Sequence, residues 1–533
     1  MLAPTETFAQ RGTGAASLEN LVINDPNLKA ELVFKGIQFP TSIAFLGPND
    51  ILVLEKNEGT VKRIVNGVMM EDPLLDVSVS NLKERGMLGI AIDKEGEGGK
   101  TFVYLYYTES LEDGDDMLSD NPRDPLGNRL YRYELIDSKL VNPKLLLDLP
   151  TSPAGTHNGG KLIVGPQKNV YLTTGDLLDL RTMTQNVASN EPIEMGVIYR
   201  ITSDGKSAGN ILGTDDPIDK FYAYGIRNSF GIDFDPLTNI LWDTENGPDF
   251  GDEINLVEPG FNSGWRLVQG LESYPSILSS DFSTDELLSS FKEKRGGIVG
   301  FFEGTLSEEV QPGEYRDPEF VWQIPIGVTD LKFFNSDKFG TEYENGIFVG
   351  DINNGNIYHF ELDGDRDEFE LDGPLSDKVA DGFDEREAVV FGKNFGGITD
   401  LEVGPDGYLY TLSFHRSEGT IFRIVPSTDN PIIDNPIIDN PMEGSSIPSW
   451  IKNNAKWWSN NQISDTDFVK GIQYLIQQGI IVVPPSEGNS ESETTIPSWI
   501  KQSAAWWADD VISDGEFVNG IQFMINSGII QLN

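Results

Sequence analysis

One phrase recurs six times between residues 42 and 425 of this 533-residue chain, and no other feature limits its possible folds so tightly. Each copy runs from an alternating strand through a turn into a second apolar strand, then into a Gly-led strand ending like IYRI. The copies are SIAFLGPNDILVLEKNEGTVKRIV (42–65), GIAIDKEGEGGKTFVYLYYTES with NRLYRYEL (89–135), and GKLIVGPQKNVYLTTGD with GVIYRIT (160–202). They continue with GIDFDPLTNILWDTENGPDFGDEINLV (231–257), DLKFFNSDKFGTEYENGIFVGDINNGNIYHFEL (330–362) and DLEVGPDGYLYTLSFHRSEGTIFRIV (400–425). A small sheet cannot bury both of its faces alone, whereas repeated sheets stacked around an axis bury them and protect their edges. The expectation is an all-β, six-bladed propeller with four-stranded blades over 31–425, behind an N-terminal extension of 1–30. An irregular β-sandwich is the alternative, but it has no need of the same phrase six times.

The charge balance narrows the partners. Lys and Arg number 39 against 85 Asp and Glu, a net charge of −46, which repels nucleic acid and anionic membrane surfaces and favours divalent cations. With no cysteine, disulfides, thiolate metal sites and thiol nucleophiles are excluded. No apolar run approaches the ~20 residues of a spanning helix. The opening MLAPTETFAQRGTGAAS has no basic-then-apolar signal pattern and reads as a mature start after removal of a leader, so an extracellular or cell-surface location is expected.

After Val425 the composition changes. A Pro/Asp/Asn-rich linker (426–446) precedes IPSWIKNNAKWWSNNQISDTDFVKGIQYLIQQGII, which recurs after a second linker (484–495) as IPSWIKQSAAWWADDVISDGEFVNGIQFMINSGII. Each copy (447–483 and 496–533) reads as a helical hairpin, with capping-box starts at Ser464/Asp467 and Ser513/Glu516 and glycine stops at Gly479 and Gly528. The paired tryptophans (Trp457 and Trp458, Trp506 and Trp507) pack between the copies or form a docking surface. The modules are similar to short repeats at the ends of archaeal secreted and surface proteins, which implies attachment to a cell envelope or a protein partner.

Within the propeller, GIQFPTSIAF, ERGMLGIAID, HNGGKLIVGP with YLTTGD, YAYGIRNSFGIDFDP, ENGPDFGDEIN, GFNSGW and GPDGYLY occur in that order. The ordered set resembles the glucose/sorbosone dehydrogenase family, whose members include soluble enzymes using pyrroloquinoline quinone (PQQ). The resemblance implies oxidation of an aldose or related hydroxyl compound, with hydride passing to the quinone and electrons leaving to an external acceptor. It implies that His157, in the H-x-G-G phrase, is the general base, a task suited to a group titrating near neutral pH. It implies that Arg227 and Asn228 in GIRNSFG face the cofactor, the guanidinium stabilising charge on a quinone carbonyl. Backbone carbonyls of Gly247 and Pro248 are implied calcium ligands, and Glu84 falls where the enzymes often place a Gln near the active centre.

The sequence also departs from the pattern. Where the enzymes carry cations for the PQQ carboxylates, this chain reads Asn353, Gly397 and Thr399. Losing three charge-assisted partners, at about 1.5–3 kcal/mol each, predicts weakened cofactor binding. Lys393 is a nearby substitute in sequence. The departure and the tail keep open a non-catalytic extracellular propeller acting as a binding or scaffold protein. A hydrolase has less support, because no carboxylate pair or metal cage stands out. Asp363, Asp365 and Asp367 alternate as in a calcium loop, without the sixth-position Gly or the terminal Glu of an EF-hand. LEDGDDMLSDNPRDP (111–125) reads as a solvated insertion.

Overall fold

The computed structural model describes residues 20–111, 125–151, 154–178, 183–186, 194–248, 250–266, 268–271 and 313–427, together with Lys456, Trp458, Lys470, Lys501 and Ala504. The chain divides into two compact units, Met1–Pro426 and Ser427–Asn533.

In the first unit the described strands form six sheets. Their innermost strands are Pro40–Gly47, Met87–Asp93, Leu162–Val164, Ser229–Phe234, Val328–Phe333 and Gly397–Val403. Each packs against the next, and Gly397–Val403 returns to Pro40–Gly47, so the ring closes. Closure also ties the ends of the unit together. Leu28–Gln38 pairs antiparallel with Glu418–Pro426, so the earliest long strand completes the sheet begun by the last repeat. Residues 28–30, assigned from sequence to the extension, therefore belong to a strand. The short strand Val22–Ile23 likewise pairs with Gly392–Lys393.

The strands follow their side-chain pattern. Val103–Tyr107 is buried on both faces and reads as a continuous apolar run, as a strand between packed neighbours should. In Leu28–Gln38 burial is intermittent, as suits an edge. The turn in GPDGYLY shows the punctuation: Gly404 accepts from Gly407 N, and Gly407 sits at φ +80, where a Cβ would strain the backbone and meet Ser336 Oγ at 2.8 Å. Between sheets, Phe320 and Trp322 of one strand pack edge-on to Phe360 (4.7 and 5.9 Å), all buried.

One expectation needs correction, and another falls outside the described residues. The sheets are not uniformly four-stranded: two have four strands, three have five and one has six. Some extra members are short parallel pairings contributed by connecting segments, such as Val379–Ala380 against Phe320–Trp322 and Phe261–Asn262 against Glu314–Tyr315, and others are short antiparallel ones, Val22–Ile23 and Leu75–Asp76. The helical hairpins at 447–483 and 496–533 lie outside the described residues apart from five helical positions, and the α-helix bounded among the described residues is Phe383–Ala388. Of those five, Trp458 and Ala504 are buried, and Lys501 Nζ lies 5.4 Å from the Trp458 ring centroid, joining one sequence copy to the other. Most of the 111–125 insertion is likewise outside the described residues.

Candidate active site

His157 stands in the connection that leads into the inner strand Leu162–Val164 and is 8 % exposed. Its backbone is at φ +57. That conformation is held by His157 N donating to Glu84 Oε2 (2.6 Å) and by Leu177 N donating to His157 O (3.4 Å). Close approach of the TTGD segment requires Gly175, since a Cβ there would lie 2.4 Å from His157 O and 2.7 Å from Asn228 Oδ1. The next residue, Asp176, is fully buried and takes His157 Nδ1 at 2.5 Å. A carboxylate on Nδ1 fixes the tautomer and leaves Nε2 as the basic nitrogen.

Asp176 also accepts from Leu178 N on Oδ1 (2.8 Å) and from the Trp265 indole N–H on Oδ2 (2.8 Å). The other face of this arrangement is Arg227, whose Cζ lies 5.4 Å from the Trp265 ring centroid. Its backbone N–H donates to Glu245 Oε1 (2.7 Å), its carbonyl accepts from Asp176 N (2.8 Å), and its Nη1 donates to Asn246 O (2.7 Å). Nε is buried with no partner. Burial pulls the Arg227 pKa below the usual arginine range, against Asp176, Glu245, Asp252 and Glu84. Burial likewise pushes Glu84 up, while His157 and Arg227 pull it down. Asn228 is buried beside them, and its Oδ1 has no partner.

The Gly247 turn follows directly. Gly247 N donates to Asp252 Oδ1 (2.9 Å), and Asp252 Oδ2 accepts from Ile326 N (2.8 Å), Gly327 N (2.7 Å) and Val328 N (3.2 Å). One buried carboxylate thus fixes two loops at the end of the ring, with Pro248 half-buried. Behind it, Asp243, Glu245 and Glu253 are all buried and pushed upward, chiefly by burial.

The structure therefore links His157, Glu84, Arg227, Asn228 and the residue before Gly247 through direct contacts. Asp176 and Trp265 went unassigned in the sequence, although both end quoted motifs, YLTTGD and GFNSGW. Asn353 is exposed, its N–H donating to Ile326 O (3.4 Å), while Gly397 and Thr399 lie on an inner strand, Thr399 Oγ1 donating to Leu412 O (3.3 Å). Lys393 does not replace the missing cations, because it sits on Val390–Lys393 beside Val22 and pairs with Glu387. The Asp363 loop closes on itself: Asp363 Oδ1 accepts from Asp367 N (3.2 Å) and Glu368 N (3.4 Å).

A closed ring of sheets with a buried imidazole–carboxylate pair set against a guanidinium defines a propeller with a polar, internally braced site. The chain belongs to the glucose/sorbosone dehydrogenase family, whose model matches residues 37–288 and 302–423. It is 26% identical over 412 residues to the aldose sugar dehydrogenase YliI of Escherichia coli, covering 75% of this chain and 93% of that one. It is 24% identical over 433 residues to quinoprotein glucose dehydrogenase B of Acinetobacter calcoaceticus, covering 73% and 85%. The PQQ-bound aldose sugar dehydrogenase structure from Streptomyces coelicolor shares the fold, with TM-score 0.50, 21% identity, and 77% and 100% coverage. No helix among the described residues is long and apolar enough to cross a membrane.

Proposed function

We propose that this chain is a PQQ- and calcium-dependent oxidoreductase that oxidises an aldose or related hydroxyl compound by hydride transfer to the quinone. The observation that carries this reading is the contact chain from His157 through Asp176 and Trp265 to an arginine with an unpartnered Nε. The names of the curated relatives, an aldose sugar dehydrogenase and a quinoprotein glucose dehydrogenase, support it.

The redox end of such a cofactor fits the residues present. Arg227 Nε and Asn228 Oδ1 are buried polar atoms without partners, and each unpaired atom costs about 1–3 kcal/mol that a polar ligand would recover. Gly247 and Pro248 would supply carbonyl oxygens to calcium, in a turn already braced by Asp252. When bound, PQQ supplies a two-electron acceptor for the hydride. The chain's own residues do the rest. His157 Nε2 takes the hydroxyl proton as the carbonyl forms, and Asp176 offsets the charge that the imidazole gains. Arg227 presents a fixed cation to negative charge developing beside it.

The carboxylate end fits less well, because Asn353, Gly397 and Thr399 offer no cation and Lys393 is paired. This set favours the second reading, an exported propeller that binds without catalysis, with the tail modules attaching it to a cell envelope or protein partner. Calorimetry with PQQ and calcium, followed by sugar-dependent dye reduction over an aldose panel, separates the two. PQQ binding with turnover that is lost in His157→Ala is expected. The absence of both binding heat and turnover would overturn the enzymatic reading.

A further inference from the structure

We propose that Trp265 is a positioning residue for the base: its indole N–H fixes the Asp176 carboxylate against His157, while its ring face seats the Arg227 guanidinium. One side chain thereby sets both the proton affinity of the imidazole and the place of the cation. The catalytic weight of this role rests on the function proposed above, but the electrostatic coupling does not.

Three observations lead to it. First, Asp176 receives donors on both oxygens, His157 Nδ1 (2.5 Å) and Leu178 N (2.8 Å) on Oδ1 and Trp265 Nε1 (2.8 Å) on Oδ2. A carboxylate's terminal torsion is soft, so a donor on each oxygen is what fixes its plane. Second, Trp265 is itself locked. Its backbone N–H donates to Gly225 O (3.0 Å), and its backbone carbonyl accepts from Asn186 Nδ2 (2.7 Å), whose amide exchanges two 2.9 Å hydrogen bonds with Asn262. Third, the core tryptophans Trp242 and Trp322 are fully buried with Nε1 unpartnered, so burial in this protein does not by itself oblige an indole to find an acceptor. Trp265 directs its only side-chain donor to the carboxylate behind the base.

The sign of the effect follows. A donor on Oδ2 disperses the carboxylate's charge and weakens its hold on an imidazolium. Removing that donor leaves a stronger partner for protonated His157, so the midpoint of His157 rises. The other charged groups facing this cluster are Glu84 at the His157 backbone, Arg227 across the indole, and Glu245 and Asp252 beyond Arg227. Trp265→Phe changes none of them and keeps the ring face under Arg227.

The test is an NMR titration of the histidine rings in the full chain, where three histidines make assignment tractable with a His157→Gln control. Trp265→Phe is expected to raise the His157 midpoint by about half to one pH unit; an unchanged or lowered midpoint would overturn the proposal. Because this variant could lose its packing, a second measurement uses the native protein. The Trp265 indole N–H resonance should titrate with the His157 midpoint and stop doing so in Asp176→Asn, and a resonance indifferent to His157 refutes the coupling. In the active enzyme the acid limb of kcat/KM should move upward with the midpoint while KM stays within about twofold. Absence of sugar turnover in the native protein would sink the proposed function, leaving the two NMR measurements to decide Trp265.

Discussion

The same short motif, HNGGK, feeds two regions that treat buried charge in opposite ways. Its histidine enters the candidate site, and its lysine enters a cluster shared by the inner strands. Lys161 Nζ lies 2.6 Å from Asp330 Oδ2, 2.6 Å from Asp400 Oδ1 and 3.5 Å from Glu402 Oε1. Asp400 Oδ2 in turn accepts from Ser42 Oγ (2.8 Å) and Ile43 N (2.6 Å), so several inner strands meet at one ammonium. Burial works against that charge, yet Asp330, Asp400 and Glu402 raise the Lys161 pKa well above the lysine range. Arg227 is half-buried, its side-chain contacts are one carbonyl and an indole face, and desolvation prevails in lowering its pKa. The difference teaches which charge is finished within the fold and which awaits something else: carboxylates surround the lysine, whereas the arginine keeps an unused donor.

The comparison breaks first at Lys161. Lys161→Met leaves Asp330, Asp400 and Glu402 facing one another without their ammonium, and breaking a buried pair costs about 3–5 kcal/mol. Urea unfolding should show that loss or a failure to fold; a loss under about 1 kcal/mol would mean the carboxylate cluster does not depend on its ammonium. Arg227→Ala should behave inversely. Removing a fixed cation from the reacting centre is expected to lower sugar-dependent turnover by about 10²–10³-fold. Its unfolding free energy should shift by no more than about 1 kcal/mol, because no surrounding carboxylate cage is broken. A large stability loss there would place Arg227 with Lys161 among the structural charges.

A third, half-buried group tests whether an unpaired atom always weakens the fold. His359 lies against Tyr343 (4.9 Å) and Phe348 (4.8 Å) with Nε2 unpartnered, and burial lowers its pKa to about 4. The unfolded chain takes up this proton near pH ~6.5, whereas the folded chain resists until about 4. More protons are then bound by the unfolded state, so stability is lost as the pH drops through that window, by up to about 3 kcal/mol. His359→Phe should remove this part of the slope between pH 6.5 and 4, read as the difference between the two unfolding curves. Identical slopes would show that His359 is protonated within the fold.

Much of this was legible beforehand because it is local. The six phrases placed the inner strands, and GIRNSFG and HNGGK placed His157, Arg227 and Asn228. The partnerships were not legible, because a ring brings distant residues together: Trp265 and Asp176 are 89 positions apart, and Lys161 meets Asp400 across 239. The Asp363 loop shows the converse. Its alternating aspartates resemble a calcium loop that lacks the EF-hand Gly and Glu, and Asp363 takes up backbone N–H groups while Arg366, at φ +60, reaches Asp235 at 2.8 Å. Spacing reports which groups are near one another in the chain, and folding decides which of them are already satisfied.

Glu84 should yield the smallest effect and the sharpest boundary between the two regions. Its carboxylate accepts the His157 N–H at 2.6 Å, and burial already biases it toward the neutral form despite His157 and Arg227. Glu84→Gln keeps an acceptor at that position and removes only the charge, so kcat/KM at neutral pH should change by less than about fivefold, roughly 1 kcal/mol. A much larger loss would mean that a full negative charge stands opposite Arg227 in the working protein. Arg227 would then be as thoroughly compensated as Lys161, and its free Nε would mark a gap in hydrogen bonding rather than an open demand for a ligand.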